Sequence, residues 1–96
     1  MNVSGIEITA NKQGLFSLKE VQGAAGGSMT NFLRSSACLD MCNILINKGV
    51  VVSPIVKKQG RYNGGTWVCE ELAHLYTIWN SSYYQLHIIN QLMNKG

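Results

Sequence analysis

The alternation of apolar and polar positions predicts short strands and helices from the first residues onward. Ile6-Glu7-Ile8-Thr9 alternates as a strand does. Asn11-Lys12-Gln13-Gly14 is turn chemistry, and Leu15-Phe16 gives a brief return strand, so an N-terminal hairpin is expected. Ser17 with Glu20 has capping-box spacing, and Leu18, Val21 and Ala25 fall on one face of the helix that follows. Gly23, Gly26 and Gly27 keep that helix short and end it abruptly. Ser28 or Thr30 can cap the next helix, in which Phe32 and Leu33 turn inward and Thr30, Asn31, Arg34 and Ser35 turn largely outward. Helix, glycine turn, helix is the outline of a helix-turn-helix and equally of an ordinary αα-hairpin.

A third helix is capped by Ser36, with Asp40 assigned to its first turn, and is apolar nearly all round from Ala37 to Lys48, which predicts deep burial or a partner. Lys48-Gly49 ends it. Val50-Val51-Val52 reads as strand, interrupted by Pro54 and resumed at Ile55-Val56. A polar hairpin follows, in which Lys57, Lys58 and Arg61 stand beside Gly60, Gly64 and Gly65, and Thr66-Trp67-Val68 returns. Glu70 and Glu71 open a fourth helix with Leu72, Leu75, Tyr76 and Trp79 on one stripe. Ser82 and Gln85 open a last one, with Tyr83, Leu86, Ile89 and Met93 as its inner face.

Composition narrows the class. Ninety-six residues make one domain, residues 1–96, with a modest core. Apolar residues at 46% and charged residues at 14% describe a folded, lightly charged chain. A net charge of +3 permits a nucleic-acid partner without demanding one, and few charges mean few phosphate contacts. The first residues lack a basic and then apolar leader pattern, and no apolar run is long enough to span a bilayer, so a cytoplasmic protein without a membrane partner is expected. Three cysteines, an odd number, argue for buried thiols in a reducing compartment.

Gly60-Arg61-Tyr62-Asn63-Gly64-Gly65-Thr66-Trp67-Val68, followed by a helix with Leu72-Ala73 and by Trp79-Asn80-Ser81, resembles the core motif of the KilA-N domain, a DNA-binding domain of phages and large DNA viruses related to the fungal APSES-type domain. The resemblance runs from about Ile6 to Met93, with its specific residues in Gly60 to Ser81. Ser82 and Tyr84 stand where the family usually has Pro and Phe. It implies an α+β fold: an N-terminal hairpin, a winged helix-turn-helix core, a β wing and two C-terminal helices. It also implies double-stranded DNA as partner, in the host bacterial cytoplasm, within a phage or prophage regulator of antirepressor or transcription-regulator type. In that reading Thr30, Asn31, Arg34 and Ser35 face the major groove, with Arg34 suited to pair bidentately with guanine. Lys57, Lys58, Gln59, Arg61 and Asn63 run along phosphates or an adjacent minor groove, and Lys19 adds a backbone contact. Trp67, Trp79 and Tyr62 hold the wing and helices together.

Other chemistry is thin. Five acids and two histidines, several of them with helix-start or capping explanations, position no catalytic constellation, so a non-enzyme is expected. Cys38 and Cys42, or Cys69 and His74, lack the Cys-x-x-Cys spacing of structural zinc sites, and Gly64-Gly65 precedes a strand rather than a phosphate-binding helix N-terminus; neither metal nor cofactor is expected. The competing reading is a protein-interaction module of a phage regulator. There the apolar Ala37–Lys48 helix and the Tyr83-Tyr84 helix would meet a second copy or a phage or host regulatory protein.

Overall fold

The computed structural model describes residues 1–60, 64–81, 86, 89, 90, 92 and 93. Among these the chain forms an α+β fold with two small sheets and four helices. Strand β1 (Asn2–Val3) pairs antiparallel with β2 (Ile6–Glu7). Ser4 (φ 52°) and Gly5 (φ 85°) form the turn between them, both in the left-handed region that two-residue hairpin turns require. The N-terminal hairpin is therefore displaced from its expected place. Its return strand is not Leu15-Phe16, because β3 (Phe16–Ser17) crosses to a different sheet. The expected turn does form: the Asn11 side-chain oxygen accepts from the amides of Gln13 and Leu15, both at 2.9 Å. It joins the hairpin to the second sheet instead of closing a hairpin itself.

Helix α1 (Leu18–Ala25) follows directly from β3. Ser17 sits at its N-cap but makes no side-chain cap, being held in the strand, and so the expected capping box does not form. Gly26 (φ 81°) and Gly27 (φ 80°) end the helix. Helix α2 (Met29–Arg34) is capped by the Ser28 hydroxyl, which accepts from the Asn31 amide at 3.2 Å. Helix α3 (Ser36–Asn47) is capped one residue earlier than expected: the Ser35 hydroxyl accepts from the Cys38 amide at 3.2 Å and donates to the Phe32 carbonyl at 2.6 Å. Asp40 consequently lies beyond the first turn.

The end of α3 explains why Val50–Val52 is not a strand. Gly49 (φ 70°) donates to the Ile46 carbonyl and Val50 to that of Leu45, at 3.0 and 2.9 Å, the paired bonds of a Schellman ending. Val50's amide is thus spent on the helix, and Val52 lies 92% exposed. Strand β4 (Ile55–Lys58) begins only after Pro54, whose carbonyl accepts from the Cys69 amide at 2.9 Å. Strand β5 (Gly65–Val68) pairs with β4 on one side and β3 on the other, giving the order β3-β5-β4, all antiparallel. Helix α4 (Glu70–Trp79) then starts at Cys69, with Glu70 and Glu71 in its first turn as expected.

One sheet face carries Phe16 and Val68 into a core with Leu18 and Val21 of α1, Phe32 of α2, Cys38 and Leu45 of α3, and Leu72, Ala73 and Tyr76 of α4. Phe32 is its hub, meeting Tyr76 edge-on at 5.1 Å and Trp79 at 5.5 Å between ring centroids. The Tyr76 hydroxyl crosses the core to donate to the Gly26 carbonyl at 2.6 Å. Asn80, at the end of α4, donates to the Tyr76 carbonyl at 2.9 Å and lies so close to Gly27 that a Cβ there would overlap its amide. The glycine turn between α1 and α2 is therefore clamped by the end of α4.

Burial shapes the thiols and the phenol. It pushes the Cys38 thiol up from 9.0 to about 12, with its neighbour Cys42 adding to the effect. Burial likewise raises Cys69, partly offset by the Leu72 amide, and raises Tyr76, partly offset by Asn80. Helix α3 is less buried than its composition suggests: Cys38 and Leu45 face the core, while Leu39, Ile44 and Ile46 are about half exposed. The predicted last helix, residues 82–93, falls largely outside the described residues. Leu86, Ile89 and Met93, expected to face inward, are exposed, as is Leu92.

Candidate nucleic-acid interface

Three groups of the residues singled out from sequence can be located. The first is on α2. Thr30, Asn31 and Arg34 are exposed and lie within one turn of each other, opposite buried Phe32. Apolar anchoring of Phe32 between Tyr76 and Trp79 fixes which way this polar face points. Ser35 does not join it. Its hydroxyl is engaged on both sides by the α2–α3 junction, so its part in the structure is a helix cap.

The second group is the hairpin. Lys57 and Lys58 occupy successive positions of β4 and so point to opposite faces of the sheet. Lys57 pairs across with Thr66 and is exposed, while Lys58 pairs with Gly65 on the Trp67 side. Trp67 and Val56 face away from the core. The Lys58 ammonium lies 5.5 Å from the centre of the Trp67 ring and donates to the Gln13 side-chain oxygen at 3.2 Å. Gln59 is exposed at the strand's end. Gly64 packs onto Gly60 so tightly that a Cβ at Gly64 would collide with the Gly60 backbone, which closes the base of the turn. Arg61 and Asn63, with Tyr62, lie outside the described residues.

The third group is Lys19 alone, exposed on α1. Helix α1 contacts both β5 and α2.

No family model, curated protein or solved structure matches this chain. Among the described residues, no helix is long and apolar enough to cross a membrane. Nor is any group of three or more His, Cys, Asp or Glu among them placed to hold a metal ion. His74 and Glu70 are 3.7 Å apart on the exposed face of α4, an i,i+4 pair that helix geometry accounts for.

Sequence reasoning missed Asn11, Lys12 and Gln13 as part of this surface. With Ala10, Lys58 and Trp67 they line an open cleft of about 590 Å³ between the N-terminal turn and the hairpin. The turn itself was legible. Its position beside Trp67 was not, because it depends on β3 pairing with β5 across fifty residues of chain. Two lysines, two amides and an indole with no acid among them make a cleft suited to an anionic ligand with a flat ring.

Proposed function

We propose that this chain is the DNA-binding module of a phage or prophage regulator, a winged helix-turn-helix-like domain of KilA-N type that works in the bacterial cytoplasm by binding and not by catalysis. The observation that carries the reading is the hairpin β4–β5, which follows the helix pair and presents Lys57 and Lys58 on its two sides beside a glycine-closed turn. The motif from Gly60 to Ser81 and the strand order β3-β5-β4 support it. In this mechanism the exposed face of α2 enters the major groove. Arg34 reads guanine with its fork of donors, and Thr30 and Asn31 contact neighbouring edges. Lys57 on one side of the hairpin, Lys58 on the other, Gln59 and Arg61 engage phosphates, and Lys19 adds a contact from α1.

The test is a fluorescence-anisotropy titration of a labelled mixed-sequence duplex across a salt series. Neutralising about four phosphates gives a log–log slope of about −3.6. Lys57→Glu lowers affinity and makes the slope shallower, and Arg34→Glu lowers affinity for guanine-bearing sites. Absence of binding at low salt, or a flat salt dependence, overturns the reading.

A second reading has its own observation. Leu39, Ile44 and Ile46 on α3, and Leu86, Ile89, Leu92 and Met93 beyond α4, are exposed apolar side chains. A protein-interaction module would use them. In that case Leu39→Asp disrupts partner or self-association while Lys57→Glu leaves it intact.

A further inference from the structure

We propose that the cleft between the N-terminal turn and the hairpin takes one unpaired nucleotide of single-stranded DNA, with its phosphate between Lys12 and Lys58 and its base on Trp67. The inference rests on the DNA-binding reading and goes beyond it, since major-groove docking uses neither Lys12 nor Trp67.

The features of the cleft point the same way. The cleft, about 590 Å³, falls within the roughly 300–1,000 Å³ of small-molecule sites. It is large enough to admit a single nucleotide. Its lining carries two ammonium groups and no carboxylate, so neither lysine is neutralised from within. Lys58 is held in place by a neutral amide oxygen and an aromatic ring, which position its charge without cancelling it. Asn11 fixes the loop through two backbone amides, which holds Lys12 and Gln13 opposite the strand.

On binding, the Lys58 ammonium, held beside the indole, adds a charge-assisted contact to a phosphate oxygen. The base stacks against the Trp67 indole. Base–aromatic stacking tolerates any sequence, so the subsite favours unpaired or frayed DNA without reading it.

The experiment uses Trp79→Phe, which leaves Trp67 as the single tryptophan of the chain. Titration with an oligothymidine strand should quench Trp67 emission saturably. Lys12→Ala should weaken that binding about tenfold, the scale of one hydrogen bond to a charged group. Duplex affinity should change little in the same variant, because Lys12 lies outside the duplex-binding set. Anisotropy of labelled oligothymidine with the unaltered chain and with Lys12→Ala gives the same comparison without touching Trp79. Failure to quench Trp67, or equal single-strand affinity with and without Lys12, overturns the proposal. Loss of duplex binding in the salt series overturns the broader reading instead, so the two failures are distinct.

Discussion

Removing a single oxygen tests the clamp on the α1–α2 turn. Tyr76 is fully buried, and its hydroxyl donates to the Gly26 carbonyl at 2.6 Å, fifty residues away in sequence. Tyr76→Phe keeps the ring and its edge-on contact with Phe32, so packing changes little. What is lost is the part-buried hydrogen bond to Gly26 and the phenol's contact with the Asn80 side chain, and the carbonyl left behind brings the cost to about 1–2 kcal/mol. With an m-value of about 1.5 kcal/mol per molar for a chain of this size, the urea midpoint should fall by about 1 M. The melting temperature should fall by about 6–12 °C. Because the clamp also sets the angle at which α2 leaves α1, duplex affinity should fall at temperatures where the variant is still folded. An unchanged urea midpoint, within about 0.2 M on this m-value scale, refutes the reasoning: the turn would then be held by its glycines, by Asn80 and by the Gln22–Gly27 bond without help from the hydroxyl.

Two glycines of the same region should respond in opposite directions. Gly23 lies inside α1 with open space where a Cβ would be, so Gly23→Ala should stabilise by about 0.5–1 kcal/mol. Gly27 has φ 80° and abuts Asn80, so Gly27→Ala should cost about 2–3 kcal/mol in the same denaturation assay. Stability should also fall in alkali. The folded chain holds the Cys38 proton up to about 12, whereas the unfolded thiol releases it near 9.0, so this contribution is complete below pH 9 and is lost as pH rises toward 12. The decline approaches at most about 1.4 kcal/mol per pH unit for this one group, Cys69 and Tyr76 act in the same direction, and Cys38→Ala should flatten the midpoint-against-pH curve.

What the sequence determined by itself is local. The glycine endings of α1 and α3, the acidic start of α4 and the Asn11 turn all follow from side chains acting on backbone within a few residues. The core stripe of Leu72, Tyr76 and Trp79 was legible because helical periodicity is a local property too. The same logic failed where two local signals compete for one group. Ser17 could cap a helix or extend a strand, and β5 offered the strand a partner; Val50 could start a strand or finish a helix, and the Schellman bond took its amide.

The tertiary structure decided the rest. Pairing of β3 with β5, not with β2, brings the Asn11–Gly14 turn against Trp67 and creates the cleft. The pleat of β4 divides Lys57 from Lys58. Only the fold sends the Tyr76 hydroxyl to Gly26. The β3–β5 pairing and the Tyr76–Gly26 bond depend on contacts between residues far apart in the chain. No local preference encodes such contacts, and the burial of Phe32, Val68 and Tyr76 in one core is what brings them about.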